Sequence, residues 1–75
     1  MKEHSLLELA PGEWGIVQKL SGKTEAKQRM QDLGLIPGTR VVCLQRSPLG
    51  DPTAYDIRGA VIALRKEDSV KIKLK

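Results

Sequence analysis

Leu33-Gly34-Leu35-Ile36-Pro37-Gly38-Thr39-Arg40-Val41 is the stretch on which the fold turns. Within this run a helix ends, is capped, and the chain reverses into a strand. Upstream, Ala26, Met30 and Leu33 stand at i, i+4 and i+7 with polar residues between them, which predicts a helix over Thr24 to Leu33. Gly34 stands where a left-handed residue is wanted just past a helix, and Leu35 can fold back on the last turn as in a Schellman cap. Pro37-Gly38 then fits a type II turn, because proline presets φ at the first central position and glycine accepts the positive φ of the second. Beyond the turn, Thr39 to Arg46 carries Val41, Val42, Cys43 and Leu44, apolar on both parities, as expected of a central strand or one at a barrel corner.

Before the helix, Ser5 followed by Glu8 matches a capping box, and Pro11-Gly12 stops the short helical turn that begins there. Glu13 to Leu20 reads as a strand with Trp14, Ile16 and Leu20 on one face and Val17 out of step, and Ser21-Gly22 is a turn. After Arg46, Ser47-Pro48-Leu49-Gly50-Asp51-Pro52 cannot be regular and presents Leu49 between two prolines, where it either plugs the barrel or contacts a partner. Thr53 to Ile57 and Ala60 to Arg65 are the next strands, with Gly59 a bend or bulge between them. Lys66 to Ser69 is a polar turn. Val70 to Lys75 alternates, with Val70, Ile72 and Leu74 inward and Lys71, Lys73 and Lys75 outward, the lysines reading as the protection of an edge strand. About five short antiparallel strands, with one α-helix inserted after the first, make a mainly β chain best matched by a small SH3-like barrel occupying residues 1–75 as one domain.

A chain of 75 residues holds one core at most and has little interior to hollow into a catalytic cavity. With 40% hydrophobic and 29% charged residues it has the composition of a folded domain rather than a disordered one. Trp14 and Tyr55 are its aromatic residues, so the core must be aliphatic. Two rings line neither a polyproline groove nor a stacking platform for single-stranded nucleic acid. The longest apolar run, Ala60 to Leu64, falls far short of the ~20 residues that span a bilayer. Leu6, Leu7 and Leu9 are interrupted by Glu3 and Glu8, unlike a signal peptide, and lone Cys43 cannot form an internal disulfide, so a cytoplasmic location is expected. The net charge of +4 permits attraction to nucleic acid, acidic proteins or an anionic membrane face without choosing among them.

No catalytic group, cofactor or metal site is expected. His4 sits close to a terminus, and Cys43 lies in a core strand with no adjacent base to activate it. One cysteine and one histidine make no N/S metal cluster, and Asp51, Asp56, Glu67 and Asp68 read as solvated turn residues before a weak cation site. Gly22-Lys23-Thr24 at a helix start resembles the end of a phosphate-binding loop, but Val17 occupies the position that needs the first glycine.

Taken in order, Leu9-Ala10-Pro11-Gly12-Glu13, the Leu33 to Val41 stretch, Pro48-Leu49-Gly50-Asp51-Pro52, Tyr55, Gly59 and Ile62-Ala63-Leu64-Arg65 resemble the FeoA family of small cytosolic proteins. The resemblance implies an SH3-like barrel and a non-enzymatic accessory role in ferrous iron transport, partnered with the FeoB membrane permease and its GTP-binding domain. On that reading the contact surface is expected at Met30, Leu33 and Leu35 of the helix and its cap, and at Pro48, Leu49, Asp51 and Pro52 of the loop. Nucleic acid is not expected as a partner, membrane contact is peripheral at most, and weak homo-oligomer formation through edge strands stays open. The alternative is a basic barrel binding nucleic acid, or a stand-alone relative of the C-terminal domain of DtxR-type repressors, whose helix-turn-helix and metal-binding domains are missing here.

Overall fold

The computed structural model describes residues 4–75; residues 1–3, Glu3 among them, lie outside the described residues. The helix α1 (Thr24–Asp32) ends with Leu33 as its cap and Gly34 at φ 99°. Leu35 donates its N–H to the Met30 carbonyl at 3.0 Å and Gly34 donates to Gln31 at 2.9 Å, the two bonds of a Schellman motif. The turn follows at once: Thr39 N–H reaches the Ile36 carbonyl at 3.0 Å, and Gly38 N–H reaches the Val17 carbonyl at 2.8 Å. The reversal is thereby fastened to the preceding strand.

That strand belongs to one antiparallel sheet. β1 (His4–Ser5) leads through a 3-10 turn (Leu6–Glu8) to β2 (Trp14–Leu20), and α1 is followed by β3 (Arg40–Arg46), β4 (Thr53–Ile57), β5 (Ala60–Leu64), a single helical turn α2 (Lys66–Ser69) and β6 (Ile72–Leu74). The spatial order is β1-β6-β2-β3-β4-β5. The sheet has six strands, the addition to the expected five being β1, too short to register as a pattern. Its neighbour, the 3-10 turn, is where the Ser5 and Glu8 spacing put a helical turn, with Ser5 N–H on Glu8 Oε2 at 2.7 Å.

Three local expectations are corrected. Val17 is buried in the core and Trp14 is exposed, the reverse of the expected parity in β2. The ladder between β2 and β6 shifts register between Val17 and Lys19, so Gly15 and Val17 face inward before the bulge and Leu20 after it. Trp14 lies on the outer face, its ring centroid 4.9 Å from Arg40 Cζ in a cation–π contact. Second, β6 is interior: Ser5 pairs with Lys73 on one side and Leu20 with Ile72 on the other. Its lysines therefore protect no edge, and the edges are β1 and β5. Third, Val70 is exposed at the end of α2, and only Ile72 and Leu74 point inward. Of the bend or bulge expected at Gly59, the structure has the bend: Arg58-Gly59 is a tight two-residue hairpin turn with φ 54° and 88°, both left-handed.

The core is aliphatic around Tyr55, with Leu6, Val17, Leu35, Ile57 and Ile72 fully or almost fully buried. The Tyr55 hydroxyl reaches the Leu6 carbonyl at 3.5 Å, bringing β4 against the N-terminal turn as the sheet curls. Burial pushes the Cys43 thiol and the Tyr55 phenol above their ordinary values.

Alanine at Gly34 would take a strained φ and bring its Cβ to 3.1 Å from Arg58 Cδ. We expect Gly34→Ala to cost about 1–3 kcal/mol and to lower the melting temperature by roughly 4–8 °C per kcal/mol, read by circular dichroism. Above roughly pH 8.5–10, where unfolded thiol and phenol lose their protons, the unfolded chain binds fewer protons than the folded one. Stability should therefore be unaffected by these groups at lower pH and fall as pH rises through that window, which urea titrations at pH 8 and pH 10.5 will measure.

Candidate partner-binding site

The expected contact residues divide into two groups. Met30 is 3% exposed and Leu35 0%, so neither offers surface to a partner. The correction has a cause in the cap: the bond from Leu35 to Met30 draws the chain back over the helix end and turns both side chains into the core. Leu33, at the cap position itself, stays 36% exposed. Pro48, Leu49 and Pro52 are exposed and Asp51 is half-buried.

The loop that carries them is held from three directions. Gly50 N–H donates to the Ser47 carbonyl at 2.8 Å across Pro48 and Leu49, and Ser47 N–H donates to the Pro52 carbonyl at 3.1 Å across a cis Asp51–Pro52 peptide. Asp51 Oδ1 accepts the Lys66 N–H at 2.9 Å, so a loop carboxylate caps α2 from a distance in sequence. At the tip, Leu49 is 94% exposed. Beside the loop base lies a shallow depression of about 220 Å³, lined by Gln45, Arg46, Ser47, Pro52, Ala54 and Ala63.

The helix cap and this loop do not meet. Val41 pairs with Ile57 at one end of the β3–β4 ladder and Arg46 with Thr53 at the other. Gly34 lies against Ile57 and Arg58, at the first end, while the loop leaves the second. At ~3.4 Å per residue the two ends are roughly 17 Å apart. Sequence reasoning also missed a row on the outer face: Trp14 pairs with Val42, Val42 with Asp56, and Asp56 with Val61. The signal available was the hairpin pairing of two apolar strands, which places Val61 on the face that Asp56 marks as outward.

Among the described residues no three of His, Cys, Asp and Glu are grouped to hold a metal ion. His4 Nδ1 lies 3.8 Å from Glu8 Oε1 on the surface, and the Cys43 thiol is enclosed. No described helix is long and apolar enough to cross a membrane.

A curled antiparallel sheet with a braced loop at one end defines a small SH3-like barrel. The FeoA of Stenotrophomonas maltophilia complexed with zinc, described as a procaryotic SH3 domain protein, superimposes with a TM-score of 0.84 over 96% of this chain and 89% of its own, at 20% identity. The FeoA domain model matches residues 4–75, and the chain belongs to the FeoA family. A FeoA-like protein from Clostridium acetobutylicum has a TM-score of 0.90 and 25% identity, with 100% of this chain and 87% of that one covered. The Fe(2+) transport protein A/Fe(2+) transporter FeoB fusion protein of Porphyromonas gingivalis is 30% identical over 69 residues, 92% of this chain but 8% of that relative.

Leu35→Ala should cost about 2–5 kcal/mol by opening a cavity in the core, whereas Leu49→Asp should change stability by no more than about 0.5 kcal/mol because nothing packs on it. Urea denaturation of the two variants checks the division between core and presented surface.

Proposed function

We propose that this chain is a non-catalytic accessory protein of ferrous iron uptake that works in the cytoplasm by binding the cytosolic part of a FeoB-type permease. The observation that carries this reading is Leu49, an apolar side chain 94% exposed at the tip of a hydrogen-bonded loop. Withdrawing such a side chain from water on docking is worth about 1.5–3 kcal/mol. A loop already ordered before contact loses little further entropy on binding. The fusion relative supports the choice of partner, since its name joins transport protein A and transporter FeoB in one polypeptide.

Pro48, Leu49 and Pro52 form the contact in this proposal, and Asp51 acts through them by tying the loop to α2. Leu33 lies at the far end of β3 and is outside this contact. The net charge of +4 favours a partner surface of acidic character and speeds encounter with it.

The test is retention of detergent-solubilised FeoB permease on the immobilised chain at two salt concentrations. We expect Leu49→Asp to abolish retention with an unchanged circular dichroism spectrum. Asp51→Ala, which keeps Leu49 but frees the loop, should weaken retention without abolishing it. Full retention by the Leu49→Asp protein would remove the loop from the contact.

A further inference from the structure

The strand β5 is an open edge: β4 lies on one side and no described strand on the other. The two-residue turn Arg58-Gly59 makes Ile57 and Ala60 a pair that exchanges both backbone hydrogen bonds. Alternation along an antiparallel ladder then gives the same role to Tyr55 with Ile62 and to Thr53 with Leu64. Val61 and Ala63 stand between these pairs, and their N–H and C=O groups turn away from β4. Both residues are exposed, Val61 by 69%.

Such edges are usually blunted by a charge, a proline or a bulge. Ala60 to Leu64 has none of these, and its register with β4 is unbroken. The charges lie at its ends. Arg58 precedes it, Arg65 and Lys66 follow it, and their side chains make no ion pair among the described residues. Nearby carboxylates are mostly engaged: Asp56 accepts the Gly59 N–H, Asp51 accepts the Lys66 N–H, and Asp68 lies 3.8 Å from Arg29. These carboxylates keep their charge, but among the described residues none of them forms an ion pair with Arg58, Arg65 or Lys66, and the chain as a whole carries +4.

We infer that β5 is a docking edge for an extended segment of a partner protein, uncharged in its middle and carrying carboxylates at both ends, which adds a strand to the sheet. The backbone groups of Val61 and Ala63 supply the hydrogen bonds, and the cations at the two ends choose the sequence. A second copy of this chain fits the edge less well. Antiparallel pairing centred on Ile62 brings the turn that carries Arg58 in one copy towards the end that carries Arg65 and Lys66 in the other, at both ends, and gathering like charges there is destabilising. This inference needs no contact at Leu49, so it stands or falls apart from the permease reading.

The probe is a blocked heptapeptide of alternating threonine and valine between terminal glutamates, with a counterpart carrying lysines at the ends, each titrated into the nitrogen-15-labelled chain. The Val61 and Ala63 amides should shift and gain protection from hydrogen exchange, with the acidic peptide binding roughly tenfold tighter than the basic one. Ala63→Pro deletes an N–H that the β4 ladder does not use, and should lose these shifts with the rest of the spectrum unchanged. The double substitution Arg65→Glu and Lys66→Glu, which leaves the strand itself intact, should reverse the preference between the peptides. Shifts confined to other residues or equal binding of both peptides would overturn the inference. So would a peptide-free dimer with the Val61 and Ala63 amides already protected, since a second copy would then hold the edge.

Discussion

The hydrogen bond from Leu35 N–H to the Met30 carbonyl carries the rest of the structure. It closes the last turn of α1, and it brings the Leu35 side chain into the core beside Met30, the buried residue of that helix. A helix of nine residues is marginal in water on its own, so it depends on being anchored by this end. Further bonds extend the anchor: Thr39 Oγ1 donates to the Gly34 carbonyl at 3.0 Å, and Gly38 N–H reaches Val17. Helix, turn and the first long strand are thus tied together by these bonds.

Curvature is the second constraint. A six-stranded sheet encloses a core only if its strands bend, and the register shifts in β2 after Val17 and opposite β4 after Cys43 supply bends where β2 and β3 lie in mid-sheet. The same bulges decide which side chains are left outside. Leu44 falls in the second shift and is exposed, while Cys43 beside it is buried. The curled sheet brings Tyr55 to Leu6, and the one large aromatic ring in the core fills the space that aliphatic residues leave.

What the sequence made legible follows the range of the interactions. The helix, its glycine cap, the Pro37-Gly38 turn and the Pro48 to Pro52 loop rest on neighbours a few residues apart, and each lies where its pattern placed it. The inversion of Trp14 and Val17 was hidden because a bulge changes parity without changing composition. The interior place of β6 was hidden because its neighbour β1 is two residues long, and lysines on an alternating strand read the same whether or not a short strand covers them. For the site, the position of Leu49 at a rigid loop tip was legible from the prolines around it but not whether it plugs the barrel or faces outward, and burial of Met30 and Leu35 was not separable from an exposed apolar face by spacing alone. The division between cap and loop was written in the sequence as the strand that separates them, since Thr39 to Arg46 in extended form must carry its two ends apart.

The same geometry that separates the helix cap from the loop joins the loop to the open edge. Thr53, where the loop ends, pairs with Leu64, where β5 ends, and Asp51 of the loop caps the Lys66 N–H just beyond. Leu49 and the backbone groups of Ala63 therefore belong to one end of the β4–β5 hairpin, where Ala63 also lines the depression at the loop base. A partner holding Leu49 would present its adjoining segment to the edge at a high effective concentration, so two modest contacts can sum to a firm one without either being strong alone. Asp51 is the pivot of such an arrangement, because its single hydrogen bond fixes the distance between the two surfaces. Loosening it would free the loop that holds Leu49 while leaving the β5 edge as it is, and so cost the partner their simultaneous use.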